Sequence, residues 1–123
     1  MASFETIESL RASADEDFWT AELVRDSDDE KTRIICYHLQ QYAEKKIKAK
    51  LLEMGISYPR KHDLVSLLEL FEDEGLLAKH MENAANLSDY ATAFRYERRV
   101  PSVEEMESAF NSAKSIVFDV ERI

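Results

Sequence analysis

Apolar residues return every three or four positions along almost the whole chain, the spacing of one face of an α-helix. The first such stripe runs from about Ser3 to Val24 through Phe4, Ile7, Leu10, Ala14, Phe18 and Ala21. The polar run Arg25-Asp26-Ser27-Asp28-Asp29 ends it, and Ser27 or Asp28 offers an N-cap for a second helix reaching Met54. In that helix Ile35, Leu39, Tyr42, Ala43, Ile47, Leu51 and Met54 are expected to point inward. Gly55 is its natural stop, and Pro59 keeps the following residues out of helix. A third helix is expected from His62-Asp63, carrying Leu64, Leu67, Leu68 and Phe71, with a break or bend at Gly75. Beyond it Leu77, Met81, Ala84, Leu87, Ala91 and Phe94 resume helical spacing. Ser102 is a good N-cap for the last helix, with Glu105 at the capping-box position. Its stripe of Val103, Met106, Phe110, Ala113, Val117 and Val120 is the cleanest in the chain.

Nothing alternates with period two for long, so the expected fold is all-α, an up-and-down helical bundle of four to five helices joined by short loops. Trp19 and Leu23 on the first helix, and Ile116, Phe118 and Ile123 on the last, fall outside the main stripes. So much apolar surface on a small bundle points to a homodimer.

Composition sharpens this. A chain of 123 residues with 45% hydrophobic residues reads as one domain over 1–123, and 2 Gly and 2 Pro are too few for a turn-rich sandwich or barrel. One Cys excludes a disulfide framework and a Cys-rich zinc module. No apolar run approaches the roughly 20 residues of a membrane span, and MASFETIESL has no signal-peptide pattern, so the expected location is cytoplasmic. The net charge of −9 is unevenly spread: residues 1–30 carry 10 acidic and 2 basic side chains, residues 31–62 carry 2 and 8. An acidic chain is a poor general nucleic-acid binder, yet its second quarter is basic enough to hold one anionic group, or to pair with its acidic neighbours.

Glycine-rich phosphate loops, His-Glu-x-x-His, Gly-x-Ser-x-Gly and EF-hand loops are all absent. His38, His62 and His80 are too scattered to nominate a metal site, no cofactor is expected, and Cys36 reads as a buried structural thiol. Three polar groupings remain. On the second helix, Gln40 with Glu44 and Gln41 with Lys45 stand one turn apart, either a solvated face or part of a site. At Arg60-Lys61-His62-Asp63, His62 or Asp63 caps a helix or serves a ligand. At Phe94-Arg95-Tyr96-Glu97-Arg98-Arg99, arginines beside an aromatic either hold a phosphate and stack on a base or tie down the last helix.

In order and spacing these groupings resemble the HEPN domain (higher eukaryotes and prokaryotes nucleotide-binding), in its small stand-alone prokaryotic form. The resemblance rests on His-Leu-Gln-Gln-Tyr-Ala-Glu-Lys-Lys-Ile-Lys-Ala-Lys-Leu-Leu from position 38, then Lys-His-Asp-Leu, Leu-Leu-Glu-Leu and Ala-Phe-Arg-Tyr. It implies a protein similar to the toxin or partner half of a module encoded with a minimal nucleotidyltransferase. It also implies kinship with dimeric, metal-independent ribonucleases whose site pairs an Arg with a His four to six residues later.

The chain departs from that pattern. No histidine follows Arg95, and the Arg33–His38 match lies inside a helix with its side chains about 140° apart. The reading is therefore a protein that binds a nucleotide or RNA, or a nucleotidyltransferase partner in a toxin–antitoxin-like module, without the usual ribonuclease pair. Lys45, Glu44, His62, Arg95, Tyr96 and Arg98 are its candidate ligand-binding residues. Arg95, Arg98 and Lys45 would contact phosphate, Tyr96 would stack or hydrogen-bond, Glu44 would orient Lys45 or Arg95, and His62 would move a proton. One alternative is a metal-independent ribonuclease with His62 and Arg95 as catalytic residues. The other is a non-catalytic interaction module whose polar residues only cap and pair helices.

Overall fold

The computed structural model describes residues 6–72, 74–96 and 100–123. Five helices account for most of them: α1 (Ile7–Ser27), α2 (Thr32–Glu53), α3 (Leu64–Leu68), α4 (Glu74–Tyr96) and α5 (Val103–Glu121). No strand occurs among the described residues.

Local chemistry sets most of the boundaries. Thr6 caps α1 in a reciprocal box with Ser9, each side-chain oxygen accepting from the other's backbone N–H at 3.0 and 2.9 Å. Ser27, an expected cap for the second helix, is instead the last residue of α1, and Asp28 closes the turn by accepting from the Glu30 N–H at 3.0 Å. α2 starts at Thr32 with no side-chain cap; the Thr32 hydroxyl donates instead to the Pro101 carbonyl at 2.6 Å, tying this helix start to the entry of α5. At the other end Gly55 takes φ +73°, and Ile56 N–H and Gly55 N–H bond to Leu51 O and Leu52 O at 2.8 and 3.0 Å. That is a Schellman closure, which requires a left-handed residue where glycine alone carries no Cβ penalty. Asp63 caps α3 by accepting from Val65 N–H at 3.0 Å. The chain leaves helix after Leu68, and Gly75 lies in the first turn of α4 without breaking it. Ser102 and Glu105 form the expected capping box on α5.

The order is up and down. Arg11 meets Glu53, and His80 meets Asp119, so α1 with α2 and α4 with α5 run antiparallel. α2 is the hub, packing against each of the other four helices. Its Ile35, Leu39, Ala43, Ile47 and Leu51 are buried against Leu64, Leu67 and Leu68 of α3, Ala84 and Leu87 of α4, and Met106, Phe110, Ala113, Ile116 and Val117 of α5. Phe18 joins this core sideways, its ring 4.7 Å from Tyr42 and 5.9 Å from Phe110.

The structure departs from the expected α4 register near the start of the helix, where Leu76 and His80 rather than the exposed Met81 face the core; Ala84 and Leu87 are buried as expected. His80 tolerates burial because Nε2 meets the Asp119 carboxylate at 2.7 Å, a partner 39 residues away. Met54 and Val103, expected inward, are exposed at helix ends, while Ile116 is core. Among the described residues, no helix is long and apolar enough to cross a membrane.

Candidate functional site

The helical spacing of α2 places Gln40, Glu44 and Lys48 one above another, on the flank that faces α3 and the segment before it. All three are buried, and a polar group there must find partners. Glu44 finds three. Gln40 Nε2 donates to Oε1 at 2.9 Å, Lys48 Nζ donates to Oε2 at 3.0 Å, and His62 Nδ1 sits 2.9 and 3.0 Å from the two oxygens. Gln40 also donates to the His62 carbonyl at 3.1 Å, so the backbone that carries the imidazole is held from the same helix. The Gln40 carbonyl accepts from Gln41 Nε2 at 2.7 Å, which fixes which end of its amide points inward.

This network determines the state of His62. A carboxylate only accepts, so Nδ1 carries the hydrogen and Nε2 is the ring's remaining nitrogen. The imidazole is 67% exposed above an almost wholly buried Glu44. Its position follows Arg60 and Lys61, both exposed and without an ion-pair partner among the described residues. A buried anion holding an outward imidazole next to two cations suits an anionic ligand. It also suits proton transfer at a phosphate or hydroxyl oxygen.

Lys45 does not join this group. One residue along a helix is a 100° turn, and the turn carries Lys45 to α1, where Nζ donates to Asp17 Oδ2 at 2.6 Å and Ser13 Oγ at 2.7 Å. Asp17 receives His38 Nδ1 on its other oxygen at 2.7 Å. Glu44 thus orients His62, not Lys45. The expected Gln40–Glu44 pair forms, and the expected Gln41–Lys45 pair is replaced by bonds from each to other groups.

Arg95 and Tyr96 form the last turn of α4, but their side chains, and Arg98 entirely, lie outside the described residues. Ser88 of α4 accepts from the Leu64 N–H at 2.9 Å, and Arg95 is seven residues further on, about 10 Å along the helix axis.

Two carboxylate–histidine pairs escaped the sequence reading, Asp17–His38 and His80–Asp119, because their members are 21 and 39 residues apart. The second also carries Lys79, whose Nζ is 2.7 Å from the same Asp119 oxygen. Hydrogen bonds from Lys79 first and His80 second hold that carboxyl below the usual aspartate range. Cys36 is buried, and loss of solvent pushes its thiol up to about 12 despite a hydrogen bond with Tyr90. That excludes it as a thiolate nucleophile at neutral pH. Among the described residues, no three His, Cys, Asp or Glu side chains converge as a metal site.

Comparisons with known proteins agree with this architecture. The model of the HEPN domain family matches residues 7–123. The fold is similar to that of ST0689, an archaeal HEPN homologue, with a TM-score of 0.75, 21% identity, and 96% of this chain and 97% of that one covered. It is also similar to TT1696 from Thermus thermophilus, with a TM-score of 0.74, 25% identity, and coverage of 94% and 96%. No curated protein matches the chain.

Proposed function

The chain belongs to the HEPN domain family, and from that premise we propose that it binds the phosphate of a nucleotide or of single-stranded RNA around His62. The observation that carries this reading is the buried Glu44 beneath an exposed imidazole, next to Arg60 and Lys61, which have no ion-pair partner among the described residues. Phosphate affinity comes from cations at the ligand, and Nε2 adds a directional contact whose orientation is set in advance. Arg95, Tyr96 and Arg98 are proposed to complete the site from the end of α4. Lys45 is left out of it, since both Asp17 and Ser13 hold its ammonium. A homodimer belongs to the same reading, supported by exposed Val103 and Phe118, about 60° apart on one side of α5. So does a nucleotidyltransferase protein as toxin–antitoxin-like partner.

A second reading, metal-independent ribonuclease activity, is favoured by one feature: a carboxylate that fixes the His62 tautomer is what a general acid or base requires. The same preparation tests both. Fluorescence anisotropy of labelled single-stranded RNA, and competition by ATP, are compared for wild type, His62→Ala and Arg95→Ala. Binding is expected to weaken about tenfold in each variant and to fall with added salt. Folded variants that bind as wild type would return the chain to a purely structural interaction module. Cleavage of RNA in the presence of chelator, lost in His62→Ala, selects the ribonuclease; intact RNA after long incubation selects binding alone.

A further inference from the structure

On α1, the residues facing α2 are Leu10, Ala14, Asp17 and Ala21, all buried. Trp19 is 200° around the helix from both Asp17 and Ala21, so it points directly away from the bundle. It is 63% exposed, and Leu23, one turn further, is 48% exposed. The backbone of α1 approaches that of α2 alone, which leaves this outer face uncovered by any other helix. Glu16, Glu22 and Asp26 flank the two apolar side chains at helical spacing and have no ion-pair partner among the described residues. An exposed tryptophan and leucine inside a ring of unneutralised carboxylates differ from ordinary scattered surface apolarity.

Charge decides what fits. RNA, nucleotides and anionic membranes carry the wrong sign for a surface whose first 30 residues hold 10 acidic and 2 basic side chains. A second copy of this chain is a poor occupant too. Its net charge is −9, and Lys45, Lys46, Lys48 and Lys50, half of the basic residues in its one basic quarter, already bond to carboxylates of their own chain. We propose that the outer face of α1 docks a different protein through a cationic amphipathic helix. Leucine-like side chains of that helix would cover Trp19 and Leu23, and its Lys or Arg residues would meet Glu16, Glu22 and Asp26. A guanidinium over the indole adds cation–π attraction, and two central anchors with a charged rim are the composition of a small, salt-sensitive interface. This surface is separate from the His62 site and does not depend on it.

Trp19 is the only tryptophan in the chain, so its emission reports this face directly. The probe is a synthetic helical peptide with Leu on one side and Lys on the other. Controls are a scrambled peptide of the same composition, its Glu-for-Lys counterpart, phosphatidylserine vesicles and single-stranded RNA. The Lys/Leu peptide is expected to produce a saturable blue shift. Leu23→Ser, and separately the triple variant Glu16→Gln, Glu22→Gln, Asp26→Asn, are expected to weaken it about tenfold. Glu104→Gln on α5 and His62→Ala should leave it unchanged, with wild-type circular dichroism throughout. The proposal is overturned by no shift, by equal affinity for the scrambled peptide, or by insensitivity to the α1 substitutions. A shift produced by vesicles or RNA, or by raising the protein concentration alone, overturns it as well.

Discussion

Replacing Glu44 separates what the buried network does for stability from what it does for a ligand. Its two oxygens accept from Gln40, His62 and Lys48. In Glu44→Gln one oxygen becomes an NH₂ group facing a donor, and the Lys48 ammonium, 9% exposed, loses its only carboxylate partner among the described residues. Leaving one half of a buried ion pair uncompensated costs about 3–5 kcal/mol. The lower figure applies here, because Lys48 also lies 5.3 Å from the Tyr58 ring. For 123 residues, unfolding entropy of about 2.1 cal/mol/K per residue converts 1 kcal/mol into about 4 °C of Tm, so Glu44→Gln should melt about 12 °C lower. In Glu44→Leu with Lys48→Met both charges leave together, and stability should return to within about 1 kcal/mol of wild type. His62, being largely exposed, then loses its orientation without unfolding anything.

Thermal melts by far-UV circular dichroism, imidazole-nitrogen NMR and RNA anisotropy read the three quantities. The expected pattern is a destabilised single variant and a stable double variant that has lost both the fixed His62 tautomer and RNA binding. A Glu44→Gln protein melting with wild type would refute the buried-pair reasoning, and a double variant that still binds RNA as wild type would refute the positioning role of Glu44.

Two further outcomes follow from Asp119 and Cys36. Asp119 has its carboxyl held below the usual range by Lys79 and His80, so the folded state binds its proton less readily than the unfolded chain. That contribution is complete above the unfolded-state pKa, near 4, and disappears as pH falls through the lower folded-state value. Acid titration of wild type and Asp119→Asn should therefore show a stability gap at neutral pH that closes in acid; a gap independent of pH would contradict the pairing. At pH 8 a thiol with a pKa of about 12 is ionised in roughly one molecule in ten thousand. Cys36 should consequently resist a thiol-specific disulfide reagent until denaturant is added, and rapid labelling of the native protein would show that the α2 core is open.

Much of the helical frame was legible because its causes are local. The capping box at Ser102 and Glu105 and the glycine at position 55 act within one turn of the chain. Apolar spacing likewise located the α2 and α5 cores, where most buried apolar side chains follow the expected stripe. Where a tertiary partner competed with local pattern, reading from sequence failed. Periodicity favoured Met81, yet His80 occupies the core because Asp119 lies opposite. Lys45 looked equivalent to Glu44, yet 100° of helix rotation sent it to Asp17.

The candidate site shows the same division. Residue types and spacing along α2 determined that Gln40 and Glu44 share a face, since i and i+4 neighbours follow from helix geometry alone. Only the tertiary structure decided that His62, 18 residues later, would be the group on that carboxylate, with Lys48 neutralising it from below. Such pairings are set by how the loop after Gly55 folds back across α2. Spacing along the chain carries no information about which buried charge meets which donor in three dimensions.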